Sequence, residues 1–488
     1  MSDSAAVHGG DAKVAVVVGG GLVGVCQARA LAKRGWDVTL LERNSELCLE
    51  ASRANAGRFA ASAMWRGPIA KPNWAVVKAA FGAAGGKEKT SNAEETKKEK
   101  SSGSTTKLTG SLVKWGAHFL RNCLPGRYEH NRSMFAFLVE KCLAEHELLY
   151  NEIDGLAGAS MRNERGVYVF DERTRRKTTE GFEKELSCDE CKRLVPALLS
   201  HQTMTGCYFL TRDYTADARQ FALRVASDAQ DRFGVKLKFN STVDRIFFDP
   251  SDATKATGVR VVSNEGMQSQ IKADAVVLCP GPCAASLSRS LLGYWLPLPV
   301  EPMRGCSVLL TGVSGTIPNI AVHDLTSGWD FQVTPLKTAP DYRGRQTTSV
   351  RLIGFGEWAG DECTGGSCAS PPPKDHVGMF RSHLAKTIPG LKYEKMTNLW
   401  YGGRPMTPDS LPILGLAPGY SNIYLNCGHG HIGWSMCSGT ASIVADIMGS
   451  TCDEETKVYQ PHFSAKRFGL FAELFGRNSA VSYNRSSK

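Results

Sequence analysis

The sequence predicts an α/β domain assembled from discontinuous pieces of chain, joined to a second domain of α+β class. Three observations support that reading. A βαβ unit stands at the start: "KVAVVV" (13–18) is a short β-branched run bounded by glycines, "GLVGVCQARALAKRG" follows with helical spacing and stops at Gly35, and "DVTLLE" ends at Glu42. Residues 297–358 alternate apolar and polar positions between turns, as a half-exposed antiparallel sheet does. More than 400 residues after the first strand, "NIYLNCGHGHIGWSM" (422–436) brings back a strand, a glycine-rich turn and a helix.

Between these landmarks the elements follow in order. Residues 111–155 read as helices with apolar spacing, Leu112, Trp115 and Phe119, then Phe135, Leu138 and Leu143. "AGASMRNERGVYVFD" begins another sheet. From Asp217 the pattern is a helix ("ARQFALRVASDAQDRFG"), one strand over "VKLKFNSTVDRIFF", and two more at "GVRVVS" and "ADAVVLCPG". Residues 82–107 are Gly/Ser/Lys/Glu-rich with almost no large apolar side chain, so they are expected to be a disordered insertion without chemistry.

A chain of 488 residues exceeds one ordinary core, which favours two or three domains. Hydrophobic content of 42% and charged content of 22% are those of a globular protein, and no apolar run reaches the roughly 20 residues a membrane span requires. The formal charge of +10 comes without any nucleic-acid module, so nucleic acid is not an expected partner. "MSDSAAVHGGDAK" lacks the basic flank and apolar core of a secretory signal, and it has no arginine before the first strand. Fifteen scattered cysteines then read as reduced thiols, and the lone Cys188/Cys191 CxxC reads as structural rather than zinc-binding or redox-active.

Gly19, Gly21 and Gly24, within "VVVGGGLVGV", match GxGxxG directly after a strand and at the start of a helix. The three glycines serve the tight turn, close approach of a pyrophosphate, and close helix–strand packing. The helix N-terminus offers free N–H groups and partial positive charge to that pyrophosphate, and Glu42 is placed to accept from a ribose. The motif alone does not separate NAD from FAD. A flavin must also be gripped along its ribityl chain and ring, often by a segment returning from the C-terminus, so the returning 422–436 motif favours FAD.

At "ERNSELCLEASRANAG", "WYGGRPMTPDSLPILG" and "YLNCGHGHIGWSM" the sequence resembles the FAD-dependent D-amino-acid dehydrogenases, a branch of the D-amino-acid oxidase superfamily alongside glycine and sarcosine oxidase. The resemblance runs from about residue 13 to 468 and includes "RNCLPGRYEHN", the "STVD" turn and "KADAVVLCPG". It implies a discontinuous Rossmann-like FAD-binding domain of the GR2/DAO type (11–75, 213–296 and 396–468), an antiparallel-sheet substrate domain (110–212 and 297–395), and a tail (469–488).

The resemblance also implies roles for individual residues. Gly19, Gly20, Gly21, Leu22, Val23 and Gly24, with Glu42 and Arg43, look like the adenosine and pyrophosphate grip. Ser52, Ala54, Asn55, Ala56 and Gly57 resemble the loop that runs past the flavin, Val243 the backbone that pairs with adenine, and Gly281 a strand-end turn near the cofactor. Gly430, His431, Ile432 and Gly433 match the turn under the flavin ring, where a helix starting near Trp434 aims its N–H groups at the N1/O2 edge. His429 and His431 would need a third ligand to hold a metal, and no HxxxH or acidic cluster supplies one.

Arg404 resembles the arginine that clamps the substrate α-carboxylate, Tyr401 is a weaker candidate for the pocket wall and His431 for a role beside the flavin, and Asp409 reads as a turn residue. Sarcosine oxidases tether their flavin through a cysteine near this place; here stand Tyr401, Gly402 and Gly403, so noncovalent FAD is expected. "KRFGLFAELF" (466–475) has an amphipathic face suited either to a membrane surface near a quinone pool or to the protein's own core.

The expected activity is oxidative deamination of a D-amino acid, with electrons passed to a quinone or another electron-transfer acceptor. Alternatives are an oxygen-using oxidase, a D-proline or hydroxyproline dehydrogenase, an NAD-dependent dehydrogenase and a noncatalytic flavin-binding partner. The expected location is cytoplasmic, with peripheral contact on the inner face of a respiratory membrane and a mitochondrial site as alternatives.

Overall fold

The computed structural model describes residues 12–69, 110–178, 180–294, 297–327, 331–337, 347–358 and 375–469. The 82–107 insertion, the tail beyond 469 and positions 470–475 of the amphipathic stretch lie outside the described residues. No helix among the described residues is long and apolar enough to cross a membrane.

A six-stranded sheet forms the first unit, in the order Ile413–Leu416, Ile423–Cys427, Ala275–Leu278, Val14–Val18, Asp37–Leu41, Lys236–Lys238. All pairings are parallel except the first. Ala15, Val16 and Val17 are fully buried, as a β-branched strand covered on both faces must be. On one face the helix Leu22–Lys33 packs against Ala218–Phe233 and Gly433–Gly449. On the other, an antiparallel meander of Ser241–Asp249, Asp252–Ser263 and Gln268–Lys272 lays Val243, Ile246, Val259 and Val261 on Val16, Val18, Val276 and Leu278.

The stretch expected as one strand from Val235 is two. Asn240 adopts φ +51°, which ends Lys236–Lys238 in the parallel sheet and starts Ser241–Asp249 in the meander. The first strand expected after residue 155 is likewise preceded by a short helix, Leu156–Ala159, before Asn163–Phe170.

The second unit is a nine-stranded sheet. Its path runs Lys395–Met406, Glu301–Thr311, Thr348–Trp358, Phe331–Lys337, Ala321–Asp324, Asn163–Phe170, Gly206–Thr215, Arg58–Phe59, with Glu183–Ser187 also paired to Gly206–Thr215. The sequence suggested a half-exposed sheet over 297–358, but Val308, Leu310, Val333, Val350 and Leu352 are all buried. The helix His376–Thr387 covers one face through Phe380 and Leu384, and a cavity occupies the other. The helices expected over 111–155 are Gly110–Asn122 and the 28-residue Pro125–Glu152, which begins with proline, the residue whose missing N–H is tolerated at a first helical turn. Phe468, half-buried, packs against the core beside the meander, while Lys466 and Gly469 are exposed.

Candidate functional site

The glycine turn shows why side chains are absent there. A Cβ on Gly24 would sit 1.8 Å from the Gly19 carbonyl oxygen, and one on Gly19 (φ +110°) 2.4 Å from the carbonyl oxygen of Cys279. Backbone thus lies against backbone where the first strand, the helix and Ala275–Leu278 meet. The helix Leu22–Lys33 has no acidic residue in its first turn, and the Leu22 N–H is met from outside by Ser52 Oγ at 3.2 Å.

Glu42 is buried, its carboxylate accepting the Gly20 N–H at 2.6 Å and the Asn44 N–H at 2.8 Å. Ser241 N–H donates to the Glu42 carbonyl at 2.9 Å, which brings the strand of Val243 beside that acid. The Val243 side chain itself points into the meander core. Arg43 pairs with Glu50 at 2.9 Å.

A cavity of about 280 Å³ runs between the two sheets, near the lower end of the usual small-ligand pocket of roughly 300–1,000 Å³. Gly21, Leu22, Val23, the loop residues Ala51, Ser52 and Ala54 to Gly57, Gly281, and Gly430 to Trp434 all line it. Gly19, Gly20, Gly24, Glu42, Arg43 and Val243 are not among its lining residues.

The loop is held rigidly: Asn55 Oδ1 accepts the Gly57 N–H at 2.9 Å, Gly57 (φ +60°) accepts from Ala216 N–H at 2.8 Å, and Ala60 N–H donates to Ser435 Oγ at 2.8 Å. The second helix starts at Gly433, one residue before Trp434, after a single 3-10 turn over Gly430–Ile432, and it too lacks an acid in its first turn. His431 is exposed on the cavity. His429 is buried; burial lowers its pKa to about 3, and its Nε2 donates to Thr440 Oγ1 at 3.0 Å, because that hydroxyl already donates to the Met436 carbonyl. It is a neutral structural histidine.

The large sheet contributes one in-register row. Trp400 pairs with Ser307, Ser307 with Ile353, Ile353 with Gln332, Gln332 with His323, and His323 with Tyr168, and all six side chains line the cavity. Both amide hydrogens of Gln332 are committed, to Ala56 O at 3.1 Å and Thr334 Oγ1 at 2.7 Å, so its carbonyl oxygen is its remaining polar function.

Arg404 shares the face of Trp400 and Gly402 by strand alternation, and its guanidinium lies across Gly305. The alternation sends Tyr401 the other way. It is not among the cavity-lining residues; it packs 5.8 Å from His376 and hydrogen-bonds Cys306, and burial raises both its hydroxyl and that thiol to about 12. Asp409 is a turn acid: its Oδ1 accepts the Leu411 N–H at 3.1 Å and its Oδ2 meets Arg467 at 2.6 Å.

Sequence reasoning did not single out Arg58, Tyr168, His323, Gln332, Trp400 or Asn426. Arg58, directly after the Ser52–Gly57 loop, and Trp400, inside the quoted "WYGGRP", were within reach; the others depend on strand register.

FAD fits this arrangement. The glycine cradle is bare, and Trp400 Nε1, Trp434 Nε1 and Asn426 Oδ1 are buried polar atoms without a hydrogen-bond partner among the described residues, all on residues that line the cavity.

Known proteins agree. Solved structures with the same fold include L-proline dehydrogenase from P. horikoshii (TM-score 0.61, 18% identity, covering 94% of this chain and 98% of that one). Glycine oxidase from Bacillus cereus (0.56, 16%, 90% and 98%) and L-amino acid deaminase from Proteus myxofaciens (0.58, 14%, 96% and 96%) are further examples. The family model described as FAD dependent oxidoreductase (DAO) matches residues 15–447, and with it the chain belongs to the DAO family of FAD-dependent oxidoreductases.

Proposed function

We propose that the protein oxidises the Cα–N bond of a D-amino acid to the imino acid, which water converts to the 2-oxo acid and ammonia. The observation that carries this reading is Arg404, whose guanidinium lies over Gly305 inside the cavity. Its planar fork grips a carboxylate through two parallel hydrogen bonds and so fixes the adjoining Cα–H in one direction. The Gln332 carbonyl oxygen is suited to accept an N–H of the substrate amine. Bound FAD supplies the hydride acceptor. The neutral amine loses a hydride from Cα and becomes an iminium; no residue is required to remove the Cα proton separately.

The three structures above are named for L-proline, glycine and L-amino acids, so support for the D configuration comes from the sequence resemblance alone. A second reading keeps the Arg404 clamp for a secondary amine, in keeping with the proline dehydrogenase among the similar structures. We further propose that the flavin is held noncovalently, that His431 bounds the flavin turn on its solvent side, and that electrons leave to a quinone or another non-oxygen acceptor.

The test is anaerobic titration of the purified protein with D-alanine, D-proline and their L-forms. Bleaching of the flavin spectrum by D-alanine but not L-alanine is expected; bleaching by L-alanine refutes the D configuration, and bleaching by a proline but by neither alanine replaces the first reading with the second. Reoxidation by a ubiquinone analogue but not by air then identifies the acceptor, and acid precipitation that releases all the flavin establishes noncovalent binding.

A further inference from the structure

We propose that the Ser307 hydroxyl is a second donor to the substrate carboxylate. The cavity floor then holds an amino acid with its carboxylate over the strand Glu301–Thr311 and its amine toward Phe331–Lys337. The inference rests on the reading of Arg404 as the α-carboxylate clamp.

Along Glu301–Thr311 the pairing with the last strand of the path is regular here: Met303 stands opposite Arg404, Gly305 opposite Gly402 and Ser307 opposite Trp400. The two large side chains at the ends of this stretch lean toward its middle. A Cβ on Gly402 would meet ring carbons of Trp400 at 1.9–2.8 Å, and one on Gly305 would meet the Arg404 guanidinium at 2.6–3.0 Å. The indole thus lies over Gly402, and the guanidinium lies over the cross-strand partner of that glycine. Because the ring leans away from its own partner, Ser307 is left open on the cavity wall.

Ser307 follows Gly305 by two residues on the same face, about 7 Å along the strand. It is only 2% exposed, yet among the described residues its hydroxyl has no hydrogen-bond partner. Buried hydroxyls are seldom left so, and the cavity is the side from which a partner can reach this one. Two strands away, past Ile353, the Gln332 carbonyl oxygen faces the same space with both amide hydrogens committed elsewhere. A carbonyl only accepts, so it takes an N–H. A guanidinium only donates, and a hydroxyl beside it can donate too, so the ligand these two share is an anion. Donors on one strand and an acceptor two strands across match the two ends of an amino acid, with the Ile353 side chain under Cα between them.

Titration of the FAD-loaded protein, followed by the shift of the flavin absorbance band, tests the assignment without turnover. The probes are pivalate and 2-methylalanine, which differ by a methyl against an amino group; the second has no Cα–H to lose. Ser307→Ala is expected to weaken both about tenfold, the size of one hydrogen bond to a charged group. Ser307→Thr keeps the hydroxyl on a side chain suited to a strand and should restore both. Loss confined to 2-methylalanine overturns the proposal, because the hydroxyl then meets the amine. Unchanged binding of both probes overturns it as well, as does a joint loss that Ser307→Thr does not recover, in variants that retain flavin content and melting temperature. Failure of the oxidation reading shows separately, as pivalate binding indifferent to Arg404→Ala, or as flavin that no amino acid bleaches.

Discussion

Gly305→Ala separates the catalytic placement of Arg404 from the stability of the fold. A Cβ at Gly305 would lie 2.6 Å from Arg404 Nη2, 2.9 Å from Cζ and 3.0 Å from Nε, where ordinary contact begins at 3.4 Å. The guanidinium must therefore rise by about 1 Å, a misplacement that lowers rate by roughly 10²-fold, or about 2.7 kcal/mol of transition-state stabilisation. The group that gives way is the end of a flexible side chain, and Gly305 does not occupy the left-handed region, so folding stability should change by less than about 1 kcal/mol. Gly356→Ala is the matched control, because its Cβ would meet Arg404 Nη1 at 3.6 Å, an ordinary contact. Stopped-flow reduction of the bound flavin, with flavin content and thermal melting alongside, measures both quantities. Full reduction rate in Gly305→Ala beside an inactive Arg404→Ala would refute the placement argument, and so would equal losses in the two glycine variants.

Three further outcomes are expected. Gly24→Ala drives a methyl group against the Gly19 carbonyl oxygen, where both partners are backbone, so the purified variant should lack the flavin absorbance band and melt lower than the wild type. Arg467→Ala leaves the Asp409 carboxylate, whose side chain is 6% exposed, without its cation; a loss of about 3–5 kcal/mol in denaturant unfolding is expected, partly recovered by adding Asp409→Asn. Burial raises the Asp324 carboxyl, but hydrogen bonds from His201, Thr387 and Thr326 outweigh that and hold it at about 2. Its folded value lies below the unfolded one, so its contribution of about 2 kcal/mol is present above roughly pH 4 and lost as pH falls through 2. Acid unfolding of Asp324→Asn should lack that part of the slope.

The local signals of the fold were legible because they are short-range. A β-branched run, a glycine turn and helical spacing identify the first βαβ unit within 30 residues, and "GHGHIGW" identifies its distant counterpart. What was not legible is set by register and by packing on both sides of a strand. Alternation over 297–358 gave the antiparallel sheet but not its burial, because the cover comes from His376–Thr387, far along the chain. The same period of two that exposes Arg404 to the cavity turns Tyr401 away, yet nothing in "WYGGRP" states which parity faces inward. His323 and Tyr168 become neighbours only through a parallel pairing of strands more than 150 residues apart. Asn240 could have flagged the break between two strands, since asparagine is among the residues that tolerate positive φ.

The parallel sheet has a consequence for the newly made chain. Val14–Val18 leaves the ribosome first, but one lateral partner, Ala275–Leu278, emerges about 250 residues later, and the strand that leads into the flavin turn, Ile423–Cys427, more than 400 residues later. At roughly 5–20 residues per second, the latter delay is about 20–80 s. Through that interval the buried valines of the first strand lack part of their cover, which makes nascent chains natural clients for chaperones. Cofactor loading belongs after the emergence of Ile423–Cys427, and supplementing riboflavin should raise the yield of folded protein less than slowing synthesis does.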